Sequence, residues 1–485
     1  MQGKKEFKQR IYYNIDLDSL VPKDHFLRRL DSLISFDFVR DITKDYYSNT
    51  GKPSIDPVVL VKMMLIGYIF DIRSERKLIE EISLNLAYRW YIEYDLDEKI
   101  PEHSIFSKAR NRFGKKLFVD IFEKILKKCM ELKLVEKENV LIDSTIVKAD
   151  ASINSMIRVN LTPEDYWKKL DVYEKRPEKK RGGRGFTGEV DKDKMGKRRR
   201  DINRTSLRKK STTDPDATLF YKDGIKGGLS YKAHIATDTN GIITAVAASS
   251  SVTHDISKIP DLIESHEKIV GRPDWIAADS KYGAQECLAY LQNKNIKTAI
   301  IYESSTNKPG YFFKNDFTYD RQKDIYICPN SKILKRRGRD NHSNRITYKS
   351  SVKDCRICPL KNKCISGKED FKTTSRYDSP CYDKTKEWYY SAKGRHLQKL
   401  RHTILEGLMG EAKNYHGMAR ARFRGLTKVE MQFLMTASAL NLKKMVRMWE
   451  TKVTKFTFSK LFWDFILILK NIFRNSKQEL VFQMP

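Results

Sequence analysis

The sequence predicts a mixed α/β fold preceded by an all-helical N-terminal region. Three observations carry this. The run Asn139-Val-Leu-Ile-Asp-Ser-Thr-Ile-Val-Lys-Ala149 is β-branched and apolar, with one acid, Asp143, at its centre. It reads as a strand buried on both faces. Leu229–Asp238 and Ile242–Ala247 flank Asn240-Gly241, the strongest short-range hairpin signal. Helical and strand patterns then alternate: a helix near 256–268, a strand over 274–279, a helix over 284–294 and a strand over 296–301. Residues 1–135 instead hold helical patterns throughout. Asp56-Pro57 opens a compact apolar run to Phe70, with Asp56 at the N-cap and Pro57 in the first turn. Ser74 is placed to cap the next helix, with Lys77 where a capping box would carry Glu. Asn85–Trp90 follows, and Pro101-Glu-His-Ser104 starts a helix bearing Lys108, Arg110 and Arg112. This series reads either as a helix-turn-helix DNA reader or as a helical bundle with a solvated basic face.

Lysine and arginine number 93 against 62 acids, a formal net charge of +31. Such a charge points to nucleic acid as partner. The most basic stretch, 170–215, holds Lys197, Arg198, Arg199 and Arg200 and has no apolar face to bury. It reads as a linker that meets polyanion. Seven cysteines are too few for a disulfide scaffold. The first residues, MQGKKEFKQR, carry no secretory apolar core. No window offers about 20 uninterrupted apolar residues, so no membrane span is expected. The apolar tail 451–485 contains Phe458–Phe473, interrupted by Lys460, Asp464 and Lys470, and reads as a docked or oligomerising helix.

Three acids stand out by context. Asp143 lies mid-strand, where a lone carboxylate is costly to bury unless paired or metal-bound. Asp279 ends the strand after Trp275-Ile-Ala-Ala278, where α/β sheets place ligands. Glu406 shares one helix face with His402, Gly410 and Lys413. Glu411 lies well round that helix and is the alternative acid. Gly407 and Gly410 are expected to bring the helix close to the sheet. Hard oxygen donors from separate elements suit a pair of Mg²⁺ or Mn²⁺ ions for phosphodiester chemistry. Each acid taken singly also reads as a capped, paired or solvated side chain. Asp255 reads as an N-cap or as an active-site acid, and Asp150 and Asp238 are not expected to be ligands. Cys355, Cys358 and Cys364, with Cys328 as fourth, have zinc-knuckle spacing for a structural Zn²⁺; free or buried thiols are the other reading. Cys129 and Cys287 sit in apolar helices and read as core.

In these and neighbouring motifs the chain resembles the DDE transposases of bacterial insertion sequences, in the subgroup with an InsH-like helical N-terminal domain. The resemblance rests on Arg73-Ser-Glu-Arg76, Asn85-Leu-Ala-Tyr-Arg-Trp90, Pro101-Glu-His-Ser104, Leu141-Ile-Asp-Ser-Thr145, Asp214-Pro-Asp-Ala217, Tyr231-Lys-Ala-His234, His254-Asp255, Ala278-Asp-Ser-Lys-Tyr-Gly283, Glu406–Lys413 and His416–Gly425. It implies an RNase H-like core over 136–310 and 390–450, a helical DNA-binding domain over 1–135 and a cysteine-bearing insert over 320–385. It implies Asp143, Asp279 and Glu406 as the metal-binding triad. The family's Glu helix usually carries a Lys seven residues downstream, which Lys413 matches. The family's Arg position is held by His402, with Arg401 one residue further out, and its Tyr is absent. Arg401, Lys413, Arg420, Arg422 and Arg424 would then form a phosphate track, with Lys197–Arg200 as a further DNA contact. The resemblance further implies double-stranded DNA as partner (terminal inverted repeats and target), a homodimer or higher oligomer on DNA, and a bacterial cytoplasmic, nucleoid-associated setting. A metal-dependent nuclease and a catalytically silent DNA-binding derivative are the other readings of the same fold.

Overall fold

The computed structural model describes residues 16–47, 54–158, 209–222, 225–300, 310–340, 345–365, 367, 369–377 and 380–481, with no side chain described beyond Thr454. Lys197, Arg198, Arg199 and Arg200 lie outside the described residues.

The N-terminal region is helical, as its patterns predict. Its elements are α1 (Leu17–Leu20), α2 (Phe26–Leu33), α3 (Phe38–Thr43), α4 (Pro57–Ile69), α5 (Glu75–Leu84), α6 (Leu86–Ile92) and α7 (Ser104–Glu131). The Asp56 carboxylate accepts the Val58 N–H at 2.8 Å, and the Ser74 hydroxyl accepts the Lys77 N–H at 3.4 Å. Both caps satisfy N–H groups that a helix start leaves open. α4 is buried almost all round, which explains its uniform hydrophobicity. α7 breaks at Gly114, where φ is 59° and ψ is −162°.

The sheet region contains β1 (Asn139–Lys148), β2 (Met156–Arg158), β3 (Lys209–Ser211), β4 (Thr218–Lys222), β5 (Ile225–Thr237), β6 (Ile243–Ser250), α8 (Ile259–Ile269), β7 (Trp275–Ala278), α9 (Gln285–Asn293) and β8 (Lys297–Ile300). Its main sheet runs β4-β5-β1-β7-β8, with β6 also on β5. β1 is antiparallel to β5 and parallel to β7, and β7 is parallel to β8. This is the mixed sheet expected of an RNase H-like core. The β5–β6 connection turns at Gly241 (φ 78°), and Asp238 accepts the Glu136 and Ile242 N–H groups there. Burial pushes the Asp238 carboxyl up to about 7. It braces the turn that follows it.

Next come β9 (Thr318–Asp320), β10 (Ile325–Ile327), β11 (Ile333–Asp340), β12 (Arg345–Ser350), α10 (Val352–Arg356), α11 (Lys361–Cys364) and β13 (Thr373–Tyr377). The five strands form an antiparallel sheet around Phe317, Tyr326, Leu334, Ile346 and Tyr348. The sequence gives no clear strand signal here, because β11 reads as a basic run, Ile-Leu-Lys-Arg-Arg-Gly-Arg-Asp. The chain then returns through α12 (Pro380–Tyr390), α13 (Ala392–Tyr415) and α14 (Leu426–Val481).

The two faces of the main sheet bury different helices. Val140, Ile142, Ile276 and Ala278 pack with Leu262 of α8 and Leu288 of α9. Leu141, Ala277 and Ala299 pack with Leu397 and Leu405 of α13. A third core joins Val61 and Phe118 to Val429, Phe433 and Leu442 of α14 and to Val246 of β6. The N-terminal helices therefore share one apolar core with the sheet region. Asp214 and Asp216 brace the start of α14: Asp214 accepts the Gly425 N–H at 3.1 Å and Asp216 the Leu426 N–H at 2.9 Å. Acids at a helix N-terminus oppose its positive end. Among the described residues no helix is long and apolar enough to cross a membrane.

Candidate active site

Strand alternation places the first two acids. Leu141 faces α13, so Asp143, two residues on, faces the same way. Ala277 also faces α13, and Asp279 follows it by two. Ile142 pairs with Ala278 in the parallel register, so the two carboxylates extend neighbouring strands at matching heights. Asp143 remains 28% and Asp279 36% exposed. Burial raises the Asp143 carboxyl above the usual carboxylate range, and the charge of Asp279 adds to this. The Ser144 N–H and the Arg401 guanidinium oppose both.

α13 supplies the opposing side. Gln398 donates to the Ala278 carbonyl at 2.9 Å and to that of Ala299, at the ends of β7 and β8. Its Oε1 accepts from Arg401 Nε at 3.1 Å, and Arg401 Nη1 reaches Asp143 Oδ2 at 2.9 Å. This relay ties the helix to the strand ends and fixes the cation beside Asp143. The sequence offers no signal for Gln398 beyond its filling the family's Tyr stretch. Lys281 Nζ stands 4.0 Å from Asp279 Oδ2.

At about 100° per residue, Glu406 lies roughly 80° round α13 from Gln398, with His402 roughly 40° and Lys413 roughly 60° away. The buried residues of α13, Gly394, Leu397, Leu405 and Ala412, lie on the other side of Gln398, so Glu406 and His402 stand on an exposed flank of the helix. Glu406 itself is 67% exposed and pairs with His402 Nδ1 at 3.0 Å. Among the described residues no group of three or more His, Cys, Asp or Glu side chains is disposed to hold a metal ion. Asp143 and Asp279 thus form a pair, and Glu406 does not join it in this conformation. Glu411 falls roughly 220° from Gln398, and pairs with His416 and Lys443, each at 3.7 Å. It belongs to the α14 side. Lys413 is half-buried without an ion-pair partner among the described residues, and burial lowers its ammonium pKa.

The expectation for Gly407 and Gly410 is corrected. A Cβ at either would meet nothing within 4 Å, so they lie on bare helix surface; the close contact is at Gly394, whose Cβ would run into the Trp388 carbonyl. The expected arginine track also divides. Arg420 and Arg424 both pair with Asp150, at 3.2 and 3.3 Å, and stay exposed. Arg422 points inward over Tyr68, 14% exposed, and so leaves the surface track. Arg110, expected on a basic helix face, is 10% exposed and pairs with Glu75.

The motif pair around His234 and Asp255 is a buried brace. Lys232 Nζ stands 3.0 Å from Asp255, and His234 Nε2 bonds the Ser249 hydroxyl at 2.8 Å. Burial holds His234 down at about 3, hence neutral. Burial alone would raise Asp255, but the Lys232 ammonium, the largest opposing influence, helps hold the carboxyl below its usual range.

All seven cysteines are free thiols, and Cys129 and Cys287 are buried as expected. Burial raises the Cys364 thiol, with Cys355, Cys328 and Cys358 adding to the effect, so the four lie near one another. Cys328 Sγ accepts the Lys332 N–H at 3.3 Å and Cys358 Sγ accepts from Asn330 at 3.4 Å.

Comparison with known proteins gives two matches. Residues 15–112 match the family model Transposase domain (DUF772), and residues 327–446 match the family model Transposase DDE domain. The second span includes Glu406 and Lys413 and stops short of Asp143 and Asp279. No curated protein and no solved structure matches the chain.

Proposed function

The chain belongs to the DDE transposases, and from that premise we propose that it binds the terminal inverted repeats of an insertion sequence, cuts the element's ends and joins the freed 3′-hydroxyl to target DNA. The carrying observation is the register of β1 and β7, which aligns Asp143 with Asp279 on the face covered by α13. Two partly exposed carboxylates, the charge of Asp279 raising the proton affinity of Asp143, fit a divalent cation, and they supply the hard oxygens it takes. Asp143 and Asp279 would hold it, with Glu406 completing the set. Bound Mg²⁺ or Mn²⁺ would supply activation of the attacking hydroxyl and charge stabilisation at the leaving oxygen.

The chain's own residues do the rest. Arg401 neutralises Asp143 in the DNA-free state, and its fork suits a phosphate when DNA arrives. Lys413 and Lys281 offer further cations to the strand backbone. Gly407 and Gly410 leave α13 bare where a phosphate backbone would pass. Arg420 and Arg424 extend the basic surface, the Lys197–Arg200 stretch would supply further cations to DNA, and a dimer or higher oligomer would gather both ends. Cys328, Cys355, Cys358 and Cys364 have the soft donor chemistry of a structural zinc site, but they are not disposed to hold a metal ion in this conformation; zinc analysis of the Cys355→Ser chain tests the assignment, and retained stoichiometric zinc excludes that ligand.

A strand-transfer assay with a short inverted-repeat duplex tests the activity. Joined product is expected. Cleavage without joining means a nuclease, and binding with neither product means a silent derivative.

A further inference from the structure

We infer that a cavity of about 440 Å³ between the N-terminal helices and the α13–α14 loop is a nucleotide-phosphate site, filled by one nucleotide of a bound DNA strand. Its floor is Arg422 and Arg110, its rim Arg73 and Arg76, and its flat walls Tyr68 and Phe423. The Arg422 guanidinium stacks over Tyr68 at 4.4 Å and that of Arg110 over Phe423 at 4.2 Å. Arg422 Nε and Nη2 are buried with no hydrogen-bond partner among the described residues. The nearest acid, Asp71, is 3.9 Å away and already holds Arg73 at 2.8 Å. Buried charged donors left unpaired are costly, so this guanidinium is built for an acceptor that arrives from outside.

It is also fixed in place. Gly417 has φ 69°, and a Cβ there would stand 2.5 Å from Arg422 Nη2. Gln432 accepts the Arg422 backbone N–H at 2.7 Å and donates to the Gly417 carbonyl at 3.0 Å. Four arginines against one acid, Glu75, line the space. The starts of α5 and α7 add the positive ends of two helices. A planar fork matches phosphate, and the aromatic and guanidinium faces accept a base. The volume falls in the range of small-ligand sites, roughly 300–1,000 Å³.

The source of the nucleotide follows from the loop's other attachment. The Lys148 N–H bonds the Ala419 carbonyl at 3.2 Å, and the Ala421 N–H bonds the Lys148 carbonyl at 2.7 Å. The loop that fixes Arg422 is thus stitched to β1, the strand bearing Asp143. A DNA strand seated in the cavity would be registered against the candidate active site. For its source alone, the inference rests on the transposase reading.

The test is thermal unfolding of the full chain with a deoxynucleoside 5′-monophosphate, the matching deoxynucleoside, and a 5′-phosphorylated oligonucleotide. Both phosphorylated probes should raise the midpoint, the oligonucleotide more, and the deoxynucleoside should not. Arg422→Gln should weaken both by about tenfold or more, as should Arg73→Gln with Arg76→Gln. Arg395→Gln, on exposed α13 surface, should not. If Arg422→Gln fails to fold, the rim pair, on exposed side chains, decides. Equal shifts from mononucleotide and oligonucleotide overturn the strand as source. No shift, or shifts indifferent to the rim pair, overturns the site. Asp143→Asn should bind the mononucleotide as wild type does, so a failed catalytic reading leaves this measurement standing.

Discussion

The two strand-borne acids and the helix-borne acid are held by different physics. Asp143 and Asp279 are located by hydrogen-bonded register: once Ile142 pairs with Ala278, both carboxylates are fixed to one face. Glu406 is located by helix phase alone, and its long side chain swings to His402. A sheet specifies position through its neighbours, whereas a helix surface specifies direction and leaves the end of the side chain to its surroundings. The sheet therefore sets the proposed metal-binding pair in place, whereas the proposed third ligand stands apart from it.

The largest expected effect tests that difference directly. Asp143→Asn and Asp279→Asn should each lower cleavage by about a thousandfold or more, since the stabilisation removed is several kcal/mol. DNA binding should persist. Glu406→Gln should fall as far; cleavage that survives this change would remove Glu406 from the site and leave a two-acid pair.

The next effect concerns the sheet that holds the pair. His266 on α8 is buried with neither ring nitrogen partnered among the described residues, and burial holds it at about 4, below its usual 6.5. Below pH 6.5 the unfolded chain takes up a proton that the folded chain refuses. Stability should therefore fall as pH drops from 6.5 to 4, by on the order of 3 kcal/mol from this residue. His266→Leu should flatten the pH dependence of the unfolding midpoint; an unchanged slope would show that His266 titrates normally.

Arg401→Ala should cost about tenfold to a hundredfold in cleavage. Arg401 lowers the Asp143 pKa, so its removal should move the acid limb of the rate profile to higher pH. An unmoved limb would separate Arg401 from Asp143 in function. Smallest is the effect of the basic stretch: neutralising Lys197–Arg200 should reduce the salt slope of DNA affinity by about 0.9 for each phosphate that these side chains neutralise in the native chain. A slope that does not change would take that segment off the DNA.

The acids, the hairpin at Asn240-Gly241 and the caps at Asp56 and Ser74 were legible because each is written in adjacent residues. The antiparallel sheet over 318–377 was not, since short strands of charged residues resemble linker. Arg110 and Arg422 read as surface cations, because sequence does not say which flat face a guanidinium will find. Gly407 and Gly410 read as packing residues on a helix that makes its close approach at Gly394 instead.

The sequence by itself determined the element types of the N-terminal region and the main sheet, and the acids on its strands, because backbone period and local hydrogen bonding are short-range properties. Only the tertiary structure decided that the N-terminal helices share a core with α14, that Gln398 steers Arg401 onto Asp143, and that four arginines enclose a cavity. Those outcomes depend on which distant surfaces meet when apolar area is buried, and that pairing is not encoded in any one stretch of chain.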